Sequence, residues 1–120
     1  MSDLHREAET LLPLQAAAFH ILLALSDADR HGYAIIQEVA ERTGGQLRLS
    51  AGTLYRSIQR MLEQGLIVEP RERPSAQEDD ERRRYYRITP LGTAVAKAET
   101  RRLAALVRMA RDRGLAPGKA

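Results

Sequence analysis

Apolar side chains recur every three to four positions through most of this chain, which is the spacing of amphipathic helices. Glycines follow the second and third of these segments, and a Thr-Pro pair precedes the fourth. Both are ordinary signals of helix ends and starts. The pattern therefore predicts helices over residues 11–26, 32–43, 51–64 and 90–113.

Two segments between the last two helices have the composition of strands. They cover residues 66–73 and 82–89, and the polar segment 74–81 between them predicts the loop of a hairpin. Pro70 indicates that the first strand is short or lies at an edge. The order helix, helix, helix, hairpin, helix predicts a mainly α fold with a small β-hairpin. This is a winged helix-turn-helix followed by a C-terminal helix, with 51–64 as the recognition helix.

Two of the helices have wider apolar surfaces than a domain of this size needs. The first is apolar nearly all round, and the last has two adjacent apolar stripes. We expect a second copy of the chain to cover them, although burial of the first helix within one chain is an alternative. The expected domains are a winged-helix DNA-binding domain at 11–89, a dimerisation helix at 90–113, an N-terminal extension at 1–10 and a flexible tail at 114–120. The expected interface residues are Leu12, Phe19, Leu23, Leu103, Leu106, Val107, Met109 and Ala110.

Composition excludes several kinds of site. The chain has no Cys, which excludes disulfides, thiolate metal sites and cysteine nucleophiles. Its three histidines lack metal-ligand spacing, and neither a catalytic triad nor a phosphate-binding glycine loop is present. We therefore expect no enzyme activity, cofactor or metal. No apolar run is long enough for a membrane span, and a cytoplasmic protein is expected. The net charge of +3 is a mild indication of a polyanionic partner.

The 51–64 helix has a core face built on Leu54 and a polar face opposite it. Arg and Gln on the polar face suit base edges in a major groove, and Thr or Tyr hydroxyls suit phosphate oxygens. The backbone N–H groups at the helix start favour an anion. A capped helix with a solvated face is the simpler alternative, but the hairpin that follows favours DNA binding. The candidate DNA contacts are Ser50, Gly52, Thr53, Tyr55, Arg56, Gln59, Arg60 and the wing residues Arg82, Arg83 and Arg84.

Three other side chains lead to specific expectations. His31 is expected to cap or orient the 32–43 helix. Tyr33 is expected on the core side of that helix, together with Val39. Arg102 lies within an apolar stripe of the last helix, where it either extends to solvent or pairs with an acidic residue across the dimer.

Three motifs, in this order, resemble the PadR family of bacterial transcriptional regulators. They are HGYAIIQEV (31–39), LSAGTLYRSIQRMLEQGLI (49–67) and RRRYYRITPLG (82–92), and the resemblance covers about 14–99. It implies a dimeric repressor that binds a palindromic operator through the start of the 51–64 helix. It also implies dimerisation through the C-terminal helix and control by a small hydrophobic effector. Ala51 departs from the family, which commonly has Pro there.

The predicted function is thus a homodimeric, sequence-specific DNA-binding repressor that a small-molecule ligand releases. The alternative is a winged-helix module that binds another protein and no DNA. The basic polar face of the 51–64 helix argues against this alternative.

Overall fold

The computed structural model describes residues 2–71 and 84–116. Within these ranges the chain forms five helices and three short strands. In chain order they are α1 (Ser2–Thr10), α2 (Ala16–Leu25), β1 (Arg30–His31), α3 (Gly32–Arg42), α4 (Ala51–Gln64), β2 (Ile67–Val68), β3 (Tyr85–Ile88) and α5 (Pro90–Asp112). None of the helices in the described part is both long and apolar enough to cross a membrane.

Helices α3, α4 and α5 lie within about one residue of their predicted bounds, because local signals fix their ends. His31 Nδ1 accepts the backbone N–H of Ala34 at 3.2 Å, so the predicted cap of α3 is confirmed. Thr89 Oγ1 accepts the N–H of Gly92 at 3.0 Å at the start of α5. Gly65 ends α4 with a φ of 78°, a left-handed conformation that favours glycine.

The N-terminal part differs from the prediction in two respects. Helix α2 begins at Ala16 rather than near Pro13, since Gln15 has extended backbone angles. The predicted N-terminal extension at 1–10 contains helix α1, which packs along α5 and buries Ala8 in the core. A nine-residue helix is too short to be stable alone, so this contact with α5 is what stabilises it.

The three strands form one antiparallel sheet in the order β1, β3, β2. Strand β2 pairs Ile67 with Ile88, which is the predicted hairpin in shorter form. Strand β1 pairs His31 with Tyr85, in a segment predicted to be a polar turn. Two residues are too few for a strand periodicity, so β1 depends on its partner β3. The predicted hairpin loop and the outer parts of both predicted strands extend into 72–83, outside the described residues.

The core lies where α2, α3, α4 and the first half of α5 meet. Its fully buried side chains include Ile21, Leu22, Leu25, Ile35, Leu54, Met61, Leu66, Ile67 and Val95. In α3 the buried side chain is Ile35, whereas Tyr33 is 62% exposed. The expectation that Tyr33 lies on the core side was therefore wrong. Ile35 and Val39, four residues apart, form the inner stripe of α3, so Tyr33 lies outside it.

Helix α5 passes close to the C-terminal end of α4. A Cβ on Gly92 would overlap the carbonyl oxygen of Leu66 and lie 2.8 Å from Ile88 Cγ1. Thr89 Oγ1 donates to the Gly65 carbonyl oxygen at 2.6 Å in the same region. The sheet and α5 are thus fixed to the end of the predicted recognition helix.

Candidate nucleic-acid interface

Helix α4 separates apolar and polar side chains cleanly. Leu54, Ile58 and Met61 are buried, while Arg56 and Arg60 are exposed on another side of the helix. Among the described residues, neither arginine forms an ion pair. The structure therefore presents two uncompensated positive charges on the surface of this helix, as its sequence predicts.

Gln59 is also exposed, but its amide is partly used within the helix. Its Nε2 donates to Glu63 Oε2 at 3.4 Å. An amide nitrogen has two N–H groups and its oxygen accepts as well, so Gln59 keeps capacity for another partner. Glu63 lies one turn further on, near the end of α4, and so away from the start of the helix.

At its first turn α4 is capped by its own side chains. Ser50 Oγ accepts the Thr53 N–H at 3.1 Å and lies 3.1 Å from Thr53 Oγ1. Both hydroxyls are thus occupied with each other in the free chain. A Cβ on Gly52 would lie 3.3 Å from Arg56 Nη1, so the guanidinium lies over this first turn. The predicted contacts Ser50, Gly52, Thr53 and Arg56 are therefore neighbours in space.

Tyr55 joins α4 to the start of α3. Its ring is 49% exposed, and its hydroxyl lies where a Cβ on Gly32 would be. Gly32 follows the capping residue of α3, so the phenol lies at the junction of the two helices. Behind this junction Tyr86 of β3 is buried, and burial, together with the nearby Glu69 carboxylate, raises the pKa of its phenol.

The wing residues are only partly within the described ranges. Arg82 and Arg83 lie outside them. Arg84 is exposed, with its Nη1 3.6 Å from Glu69 Oε2 across the hairpin. An exposed pair at this distance is weak, so Glu69 compensates little of the charge of Arg84.

A stronger ion pair fixes the sheet to the turn after α2. The Arg87 guanidinium donates to both carboxylate oxygens of Asp29, with Nε–Oδ1 at 3.0 Å and Nη2–Oδ2 at 2.8 Å. This is the two-point geometry that makes Arg–carboxylate pairs specific. The pair joins residues 58 positions apart, and the sequence analysis did not identify either of them.

Two exposed side chains near α4 were also missed. Arg48 precedes the helix and lies between half-buried Leu47 and buried Leu49. That alternation is visible in the sequence and could have predicted an outward-facing arginine. Tyr33 is exposed on the first turn of α3, next to Gly32, and its hydroxyl accepts the Gln37 amide at 3.3 Å. Its phenolic O–H can therefore still donate to another group.

Several of the predicted interface side chains form an apolar surface on α2 and the second half of α5. Leu23, Leu106, Val107 and Met109 are each nearly half exposed. Phe19, Leu103 and Ala110 are partly buried, whereas Leu12 packs against the core of its own chain. Between α2 and α5 runs a groove of about 420 Å³ that Phe19, Leu23 and Leu103 line.

A buried ion pair lies at the base of this groove. Glu99 is 2% exposed, and Arg102 donates to its two oxygens at 2.8 and 2.7 Å. These bonds, and a further one from the Leu14 backbone N–H, hold the pKa of Glu99 below its usual value although burial acts in the opposite direction. Arg102 thus pairs within its own chain, which corrects both earlier expectations for it.

Comparison with known proteins gives a family. The transcriptional regulator PadR-like family matches residues 21–98. The chain is 37% identical over 93 residues to Transcriptional regulator Rv3488 of Mycobacterium tuberculosis, covering 78% of this chain and 80% of that protein. It is 39% identical over 74 residues to an uncharacterized protein of Lysinibacillus sphaericus. That match covers 62% of this chain and 65% of the relative, just under two thirds of its length.

Solved structures have the same fold. A PadR family transcription regulator from Clostridium difficile R20291 matches with a TM-score of 0.70 and 24% identity, covering 82% of this chain and 97% of that one. Bacillus subtilis PadR in complex with operator DNA matches with a TM-score of 0.57 and 18% identity, covering 76% and 48%. The helices and the three-stranded sheet are therefore a winged helix. The chain belongs to the transcriptional regulator PadR-like family, whose members are regulators and not enzymes.

Proposed function

We propose that this protein is a homodimeric, sequence-specific DNA-binding repressor that a small-molecule ligand releases. The observation that carries the proposal is the polar surface of α4, where Arg56 and Arg60 are exposed without an ion pair among the described residues. Side chains of this kind on a recognition helix are suited to base edges and phosphates. The operator complex of Bacillus subtilis PadR, a structural relative, supports DNA as the partner.

In this proposal α4 enters the major groove with its first turn leading. Arg56, Gln59 and Arg60 contact bases or position the helix, and Tyr55 reaches the DNA backbone. When DNA approaches, the hydroxyls of Ser50 and Thr53 can exchange their mutual contact for a phosphate oxygen. Arg82, Arg83 and Arg84 of the wing contact phosphates, which adds affinity without sequence preference.

Dimerisation follows from the apolar surface of α2 and α5. Leu106, Val107 and Met109 are each nearly half exposed, and Leu23 extends the surface on α2. Contiguous exposed apolar side chains on a small protein usually mark an interface. Packing against a second copy would remove them from water and place two α4 helices on one side of the dimer. Two-fold symmetry then requires half-sites about 10–10.5 base pairs apart.

The proposal is tested by selecting bound sequences from a random duplex pool with the full chain, in the presence of competitor DNA. We expect enrichment of a palindrome. Measured on the enriched site, Arg56→Ala should lose about 1–3 kcal/mol of binding free energy if Arg56 contacts a base in two places. Arg108→Ala, which removes the same charge from an exposed position on α5, is the matched control.

Two results would contradict different parts of the proposal. Absence of binding to any duplex at low salt would remove DNA as the partner and favour a protein-binding winged helix. Sedimentation as a monomer at the concentrations where DNA binds would remove the dimer. Leu106→Glu should produce such a monomer, since it places a charge in the apolar surface.

A further inference from the structure

A cleft of about 400 Å³ lies between α4 and the segment that joins α1 to α2. The segment contributes Leu11, Leu14 and Gln15, and α4 contributes Arg56, Arg60 and Met61. We call it the α4 cleft. Its volume is within the range of small-molecule sites in proteins.

The charges in the α4 cleft all have the same sign. Arg56 and Arg60 are one helical turn apart, so both guanidinium groups can approach one ligand. Among the described residues that line the cleft there is no Asp or Glu. Gln15, Thr53, Ser57 and Gln64 complete the polar part of the lining. An anion therefore meets two positive charges and neutral hydrogen-bonding groups, with no like charge to repel it.

The inner side of the α4 cleft is apolar. Leu11 and Leu14 pack against the core, and Met61 is buried in it. An inorganic anion would leave these side chains in contact with water. An anion with a short apolar body would cover them and gain the free energy of removing apolar surface from water.

We propose that the α4 cleft binds a small organic anion that carries an apolar body, such as a medium-chain carboxylate. The carboxylate pairs with Arg56 and Arg60, since a guanidinium fork matches its two oxygens. The apolar body lies on Leu11, Leu14 and Met61. This inference rests on the proposed function in one respect, that it identifies the ligand as the one that releases DNA.

Release then follows from direct competition. The same two arginines are the proposed DNA contacts, so a ligand that pairs with them removes them from the DNA. If the two are mutually exclusive, the apparent dissociation constant for DNA rises in proportion to the ligand-occupied fraction relative to the free fraction. No change in the angle between the two subunits is needed. The groove between α2 and α5 remains available to the partner subunit.

The test uses octanoate and its neutral analogue octanamide as probes of the full chain. Isothermal titration calorimetry should show octanoate binding at least tenfold more tightly than octanamide. The double variant Arg56→Gln, Arg60→Gln should lose at least tenfold in octanoate affinity. Both residues are exposed, so this variant is expected to fold, and Arg108→Gln serves as the control for removal of an exposed charge.

A second arm measures competition, by mobility shift of a random duplex at low salt. Octanoate should release this DNA from the wild-type chain, while octanamide should not. Equal affinity for the two probes, or unchanged octanoate affinity in the double variant, would overturn the proposed site. Binding of octanoate without release of DNA would overturn the competition. If the wild-type chain binds no duplex at all, the proposed function fails, whereas the calorimetry still decides whether the α4 cleft binds the anion.

Discussion

Gly32, the first residue of α3, leaves room for the phenol of Tyr55. A Cβ at this position would overlap the Tyr55 hydroxyl and lie 2.9 Å from Cζ and 3.1 Å from Leu54 Cδ2. Leu54 is fully buried and cannot move away, but Tyr55 is half exposed and can rotate outward. The substitution Gly32→Ala therefore displaces the phenol while leaving the core in place.

The effect of Gly32→Ala on stability should be small. Overpacking costs typically about 1–3 kcal/mol, and the lower end applies here because the displaced ring moves into solvent. Within a helix Ala is more favourable than Gly by roughly 0.5–1 kcal/mol, which offsets part of this cost. The φ of Gly32 is not positive, so Ala introduces no backbone strain. We expect the free energy of unfolding to fall by about 0–2 kcal/mol.

The effect on DNA binding should be larger. A hydrogen bond to a charged group contributes about 1.5–3 kcal/mol, and a tenfold change in affinity corresponds to about 1.4 kcal/mol. If the Tyr55 hydroxyl bonds to a phosphate in each subunit, its displacement should lower DNA affinity by about tenfold or more per subunit. Because phosphate contacts are independent of sequence, a random duplex at low salt is a sufficient ligand.

A double-mutant cycle separates the hydroxyl from other effects. Mobility shifts give DNA affinities and urea unfolding gives stabilities for Gly32→Ala, Tyr55→Phe and the double variant. We expect Gly32→Ala to cost little additional affinity in the Tyr55→Phe background, since the hydroxyl is already absent. Equal losses in both backgrounds would show that the hydroxyl is not the cause. Unchanged affinity in both single variants would remove Tyr55 from the interface.

Three further predictions concern other parts of the molecule. Gly92→Ala should destabilise the chain by about 3 kcal/mol in urea unfolding, because its Cβ meets the rigid backbone of Leu66; a loss below about 1 kcal/mol would show that this contact relaxes freely. The pKa of Glu99 is lowered in the folded state by Arg102, so its stabilisation is complete above the unfolded pKa and is lost as pH falls through the folded pKa. Denaturation at stepped pH should show this loss in the wild type, and Glu99→Gln, which cannot titrate there, should reduce it. Tyr33→Phe should weaken binding to all duplexes alike, since an exposed phenol at the start of α3 can donate to a phosphate; its salt dependence should stay unchanged, because no charge is removed, and wild-type affinity would exclude the contact.

The sequence determined the parts of the structure that depend on nearby residues. His31, Ser50 and Thr89 each cap a helix through an atom three residues away from the N–H that they accept. Gly65 ends α4 because glycine adopts a left-handed conformation without a steric cost. The division of α4 into a buried side and a side with Arg56 also follows from the helical repeat alone. The family motifs lie in these same segments.

The tertiary structure decided the features that depend on distant partners. Helix α1 forms where no element was predicted, because its short amphipathic segment packs on α5. The inward side of α3 was set by its neighbours, which placed Ile35 inside and left Tyr33 exposed. The Asp29–Arg87 pair and the α4 cleft join segments that lie more than 35 positions apart. A local pattern records whether a side chain is apolar or charged, but which partner it meets is fixed only when the whole chain packs.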